Sequence, residues 1–330
     1  MEAAKKHVKN PKTLQEAIVF FADYNNSFEY MVRLRWPDGK IGCPICGRTD
    51  VSFLQNQRKW QCKSSHDHRQ FSVKVGTVFE DSPIPLEKWL VAVWMLSNCR
   101  NGVSSYEIAR AIGVTQKSAW FMMHRIRLGL QDVSGGKLGG SNGPVEIDET
   151  FIGGKARNMH KSKKQRFHAV GMQGGHGKTV VIGALQRGGK IKTRVIEDRK
   201  NPNVHSAVRD FVESGSAIMT DEFNAYYDLR SEYAHQVVNH LEKYVDGQVH
   251  VQGVENFWSL LKRGLGGTYV AVEPFHLFRY VDEQAFRFNN RKDSNRKMSD
   301  SERFDIALSQ IAGKRLTYAE LTGKVGETPF

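Results

Sequence analysis

Among 330 residues there are only four cysteines, and no apolar run approaches the ~18 residues that a membrane-crossing helix requires. The missing hydrophobic run argues against a membrane protein, and the first twenty residues lack the charged-then-apolar pattern of a secretory leader. So few cysteines cannot knit a disulfide scaffold. Repeats and long low-complexity tracts are absent too, which removes solenoids and disordered tails from consideration. Negative charge is also scarce: 35 Asp and Glu stand against 48 Lys and Arg, a formal net charge of +13. A surface so basic attracts polyanions, so nucleic acid is the leading partner class and a membrane surface its rival. The length suits two or three domains, and the expected compartment is the prokaryotic cytoplasm, with the protein on the nucleoid when bound to DNA.

Three of the four cysteines fall within twenty residues. Cys43-Pro-Ile-Cys46 is followed by Cys62 and then by His66, with His68 as an alternative imidazole in the loop KSSHDHR. A CPxCG turn sets two thiolates at one corner, Gly47 lets the chain fold beneath them, and a second pair from a neighbouring hairpin completes a tetrahedral, structural Zn²⁺ site. The bland alternative is a pair of reduced thiols in an ordinary turn. Cys99, in WLVAVWMLSNC, reads as a small buried residue.

The chain divides into residues 1–40, with a short amphipathic helix from Thr13 to Asp23; 41–80, the cysteine module; 82–133, helical; and 134–144, a Gly/Ser-rich flexible linker. A mixed α/β domain follows at 145–300, then a tail at 301–330. In the helical part, Ser104 and Glu107 form a capping box before SYEIARAIG, Gly113 ends that helix and Thr115 caps the next. Two helices joined through such a turn match a helix-turn-helix, which would set Gln116, Lys117 and Ser118 against DNA. A plain helical bundle with a basic rim has the same pattern.

Beyond the linker, VEIDETFIGG alternates as a strand, 178–196 reads as a hairpin around Gly-Gly, 202–213 as a helix, SAIMT as a strand, and VENFWSLLKRGL as a helix. Three strands, a helix, a strand, a helix, a strand and a helix is the order of a ribonuclease-H-like mixed sheet, with 153–177 as an insertion. The first and fourth strands of that fold are adjacent, so Asp148 and Asp221 would meet, and the last helix would bring Glu255. Three such carboxylates suit two Mg²⁺ (or Mn²⁺) ions in phosphodiester chemistry. Lys262 lies two turns beyond Glu255 on the same helical face. Glu149 and Glu222 are competing ligands, although on a strand Glu149 points away from Asp148.

VEIDETFIGG, IMTDEFNAY, VENFWSLLKRGLGGTY and YVDEQAFRFNNR, with CPICG and RQFSVKVGTVFEDSPIPLEKW upstream, together resemble zinc-ribbon-bearing insertion-sequence DDE transposases, relatives of the Merlin elements. The resemblance runs from about residue 15 to 320. It implies a ribonuclease-H-like catalytic core preceded by a zinc ribbon and a helix-turn-helix-like domain, with Mg²⁺-dependent DNA cleavage and strand transfer at terminal inverted repeats. Asp148, Asp221 and Glu255 would be the metal-binding triad and Lys262 the accompanying basic residue; Gln252 stands where that family commonly carries Asn. Basic residues at 155–166, among them Lys161, Lys163, Lys164 and Arg166, would contact phosphates, as would Arg263, Arg287, Arg291 and Lys292. Two element ends must be processed together, so a homodimer or larger assembly on DNA is expected. A nuclease or resolvase of the same fold, or a regulator with an inactive core, are the competing functions.

Overall fold

The chain folds into two units, one mainly helical with a small three-stranded sheet and one built on a five-stranded sheet. The computed structural model describes residues 10–132, 136–153, 178–221, 223–237, 250–293 and 296–324. One unit comprises 1–132 with 290–327, the other 133–289 with 328–330.

In the first unit, α1 (Leu14–Ala22) is capped by the Thr13 hydroxyl and α2 (Tyr24–Arg35) by the Asp23 carboxylate. The sequence reading assigned no helix at α2: Asp23 both closes one helix and opens the next, so the break is a corner rather than an end. A three-stranded antiparallel sheet follows, β1 (Val51–Leu54), β2 (Lys59–Cys62) and β3 (Gln70–Phe71). Then come α3 (Leu86–Asn98), α4 (Ser105–Ile112) and α5 (Gln116–Leu130). The predicted capping box at Ser104 and Glu107 is formed, and Gly113 closes α4 at φ +62°, a left-handed value that glycine adopts without strain. Cys99 is half-buried at the C-cap of α3.

The second unit is a five-stranded sheet ordered β6-β5-β4-β7-β8, from β4 (Val145–Ile152), β5 (Thr179–Gln186), β6 (Ile191–Ile196), β7 (Ala217–Thr220) and β8 (Ala234–Val237). β4, β5 and β6 pair antiparallel, and β7 and β8 join in parallel. β5 is buried on both faces, so its residues sort by alternation: Val180, Ile182 and Ala184 meet α6 (Asn201–Phe211) and the 3₁₀ segment Asn224–Ser231. Val181 and Leu185 meet α7 (Gln252–Gly264) and α8 (Leu277–Asn289). This mixed sheet between two helical layers is the expected α/β, ribonuclease-H-like architecture. The second predicted helix, after β7, is the 3₁₀ segment.

Two boundaries differ from the sequence reading. The described part of the Gly/Ser-rich stretch is held against the second unit: Leu138 donates to the Phe211 carbonyl at 2.7 Å and accepts from Glu213 at 2.9 Å. Its glycines serve close approach, since a Cβ on Gly139 would lie 2.3 Å from Ser216 Oγ. The stretch 301–330, expected as a tail, carries α9 (Asp300–Ser309), whose fully buried Phe304 packs on Phe21, Tyr30 and Trp94 of the first unit. Residues 290–300, assigned to the α/β domain from sequence, also belong to the first unit. No helix among the described residues is long and apolar enough to cross a membrane.

Candidate active site

The parallel pairing of β4 with β7 matches Val145 to Ile218 and Glu146 to Met219; extended two residues, this register sets Asp221 level with Asp148. The interval read from sequence, 221 − 148, equals the register offset 218 − 145. Asp148 lies on the face covered by α7, where the Trp258 Nε1–H donates to its Oδ2 at 3.0 Å. The indole reaches it because residue 183, opposite Asp148 on β5, is glycine; a Cβ there would lie 2.8 Å from the ring. Burial first, and then the negative charges of Glu149 and Asp221, push the Asp148 carboxyl up to about 7, against the pull of the Trp258 N–H. The Asp221 carboxylate accepts the Phe223 amide at 3.1 Å, which turns the chain off the strand end.

Glu149, the competing ligand, is committed to the opposite face. It accepts the Tyr226 hydroxyl at 2.6 Å and pairs with Arg199, whose guanidinium sits 3.7 Å from the Phe223 ring centroid. Burial raises its carboxyl while Tyr226 and Arg199 hold it down. Glu222, the other competitor, lies outside the described residues. Glu255 sits in the first turn of α7, exposed, and Lys262 and Arg263 are exposed in the last turn of that helix. The opposite side of the helix, Val254, Phe257, Trp258 and Leu261, is buried against the sheet. The first turn is fastened to β4 through Glu146, which accepts the amides of Gly253 and Val254 at 2.7 and 3.1 Å.

Cys43, Cys46, Cys62 and His66 converge, with their ligand atoms within 4.8 Å of one another. The Gly47 amide returns to the Cys43 carbonyl at 2.8 Å, and Gly47 takes φ +74° beneath the two thiols. His66 presents Nε2 to the group, 3.5 Å from Cys43 Sγ, while its Nδ1 meets the Asp67 carbonyl. His68 is exposed and stands outside the group. Three sulfurs and one nitrogen at this spacing match a closed tetrahedral site.

The residues expected to touch DNA are less uniform. Gln116 turns back to donate to Ser105 Oγ at 2.8 Å, and Ser118 closes the Thr115 cap, leaving Lys117 exposed with its ammonium 5.1 Å from the Tyr318 ring centroid. After its first turn α5 is largely buried. Arg287 is buried and paired with Glu283 one turn back, so it serves the interior of α8 rather than a phosphate. Arg291 and Lys292 are exposed but belong to the first unit, not to the one holding the carboxylates. Lys161, Lys163, Lys164 and Arg166 lie outside the described residues. The sequence reading passed over Trp258, Gly183 and Glu146. Trp258 was visible only as a core position, and a two-residue spacing from Asp148 was the one signal that put Glu146 on the same face.

Comparison with known proteins identifies both domains. Residues 140–289 match the ISXO2-like transposase domain, and residues 25–68 match a transposase zinc-ribbon domain. An uncharacterized protein of transposable element ISH50 from Halobacterium salinarum is 27% identical over 256 residues, covering 74% of this chain and 84% of that protein. An uncharacterized transposase-like protein of Haemophilus influenzae is 34% identical over 102 residues, 31% of this chain and 82% of its own length. With the matched domains coinciding with the sheet and the cysteine module, the chain belongs to the zinc-ribbon-bearing insertion-sequence DDE transposases.

Proposed function

We propose that the protein cleaves DNA at the ends of its element and joins them to target DNA, with Asp148, Asp221 and Glu255 as the metal-binding carboxylates. The observation that carries this reading is the parallel β4–β7 register, which sets Asp221 level with the buried Asp148 at one end of the sheet. Hard oxygen donors side by side on β4 and β7 suit a divalent cation, and Mg²⁺ or Mn²⁺ bound by them together with Glu255 would activate the attacking hydroxyl and stabilise the leaving oxygen. Trp258 donates to one oxygen of Asp148 and so orients its carboxylate. Lys262, on the helix that carries Glu255, supplies a fixed positive charge for the phosphate backbone.

Cys43, Cys46, Cys62 and His66 hold one structural zinc in this reading, and the ribbon with Lys117 on α5 contributes to binding the element end. Arg263, Arg291 and Lys292 add sequence-independent phosphate contacts. Paired end processing calls for at least two copies on DNA.

Purified protein with Mg²⁺, a labelled duplex bearing the element's own end and supercoiled plasmid is expected to give joined product that disappears in Glu255→Gln. Cleavage without joining would point to a nuclease or resolvase. Binding with no chemistry in Mg²⁺ or Mn²⁺ would point to a regulator.

A further inference from the structure

Two residues before Asp148 on the same face of β4 lies another carboxylate, Glu146, only 1% exposed. Burying a carboxylate between a sheet and a helix is costly, and apolar residues of similar volume commonly pack as stably. Its partners indicate what the cost maintains. Oε2 accepts the amides of Gly253 and Val254, groups that the first turn of α7 leaves without intrahelical partners. The N-cap residue of that helix, Val251, offers no side-chain cap, so the cap comes from the neighbouring strand. Oε1 takes the Arg187 Nε–H at 2.9 Å, and the same guanidinium donates through Nη2 to the His250 carbonyl at 2.9 Å, gripping the chain just before the helix. The fit is close: a Cβ on Gly253 would lie 2.7 Å from Glu146 Oε2 and 2.6 Å from Leu185 Cδ2.

One strand therefore holds both Asp148 and the group that fastens the helix bearing Glu255, with Glu255 one residue beyond the second fastened amide. We infer that Glu146 is a positioning residue: together with Arg187 it sets the first turn of α7 on β4, and so fixes Glu255 relative to Asp148 for metal binding. The inference rests on the three-carboxylate reading above. Metal ligands must be held within about 0.5 Å of their working geometry by supporting hydrogen bonds, and loss of such support typically costs about 10–100-fold in metal affinity. Glu146 itself is spent on the helix and on Arg187 and is not one of the ligands.

The test uses the full zinc-loaded chain. Mn²⁺ binding by electron paramagnetic resonance and the Mg²⁺ concentration for half-maximal end cleavage are measured for wild type, Glu146→Gln and Asp148→Asn, with end binding and thermal melting followed alongside. Glu146→Gln is expected to weaken Mn²⁺ binding about tenfold or more and to raise the Mg²⁺ midpoint correspondingly, while end binding is unchanged. Wild-type Mn²⁺ affinity and Mg²⁺ midpoint in this variant would overturn the inference, even if its melting temperature falls. Should Glu146→Gln not fold, Gly253→Ala displaces the helix from an intact carboxylate; the same shift supports the inference and wild-type values overturn it. Asp148→Asn separates the two levels: if it keeps metal binding and cleavage, the triad reading fails and this inference with it. If it loses both while Glu146→Gln and Gly253→Ala bind and cleave as wild type, the positioning role alone fails.

Discussion

Asp148 is ionised in an unfolded chain above about pH 4, yet in the folded, metal-free protein it keeps its proton up to about 7. Folding therefore favours the protonated form, and stability contributed by this group is full at low pH, declines between those two values and is lost above 7. Asp148→Asn is expected to be more stable than wild type at pH 8 in the presence of a chelator, by on the order of 4 kcal/mol, with the difference vanishing near pH 4. Denaturant unfolding at the two pH values checks this. Equal stability of the two proteins at pH 8 would show that the carboxylate is not strained by its surroundings. The same residue shows what a sequence does and does not display: its type and strand alternation are visible, but Trp258 and Gly183, which orient it, are brought to it from α7 and β5.

At the scale of elements, the helix α9 carries a lesson about chain ends. Its capping box, Ser299 with Glu302, is a local signal that the sequence offered openly. The partners of its apolar face were not visible, because Phe21, Tyr30 and Trp94 lie more than two hundred residues earlier. Phe304→Ala should remove a fully buried ring and destabilise the first unit by about 3–5 kcal/mol. Trp94, whose ring centroid is 5.0 Å from that of Phe304, reports the unfolding by fluorescence; a midpoint unchanged from wild type would mean that α9 adds nothing to the first unit's stability. The Gly/Ser-rich stretch before β4 differs in the same way. Composition suggested freedom, whereas Leu138 and Gly139 show that small residues there permit contact.

On the scale of the whole molecule, the ribbon has little core of its own. Trp60 of β2 stacks with Phe71 and Phe28, meets Phe53 at a tilt and Trp36 edge-on, and two of these four partners come from α2 and its C-cap. A module this small needs its metal to hold register. Metal analysis should find one zinc per chain, and removing it, or replacing Cys62 by Ser, should abolish end binding. The melting transition of the five-stranded sheet should persist, since that unit folds around separate cores. Retention of end binding after zinc removal would assign DNA recognition elsewhere.

Local and periodic information was enough for the sequence by itself to determine the cysteine module, the capped helices α1, α4 and α5, the strand pattern of the sheet and the alignment of Asp148 with Asp221. Those features depend on spacing along the chain: a knuckle closes over a few residues, a cap over three, and the 73-residue interval is the β4–β7 register itself. Only the tertiary structure decided that His66 rather than His68 joins the cysteines, that Glu149 serves Tyr226 and Arg199, that Arg287 is interior, and that Glu146 fastens α7. Each of these choices is made by a partner distant in sequence or by the direction a side chain takes from a curved backbone. Burial then attaches a large energetic consequence to the choice, because a buried charge must find its partner or give up its proton.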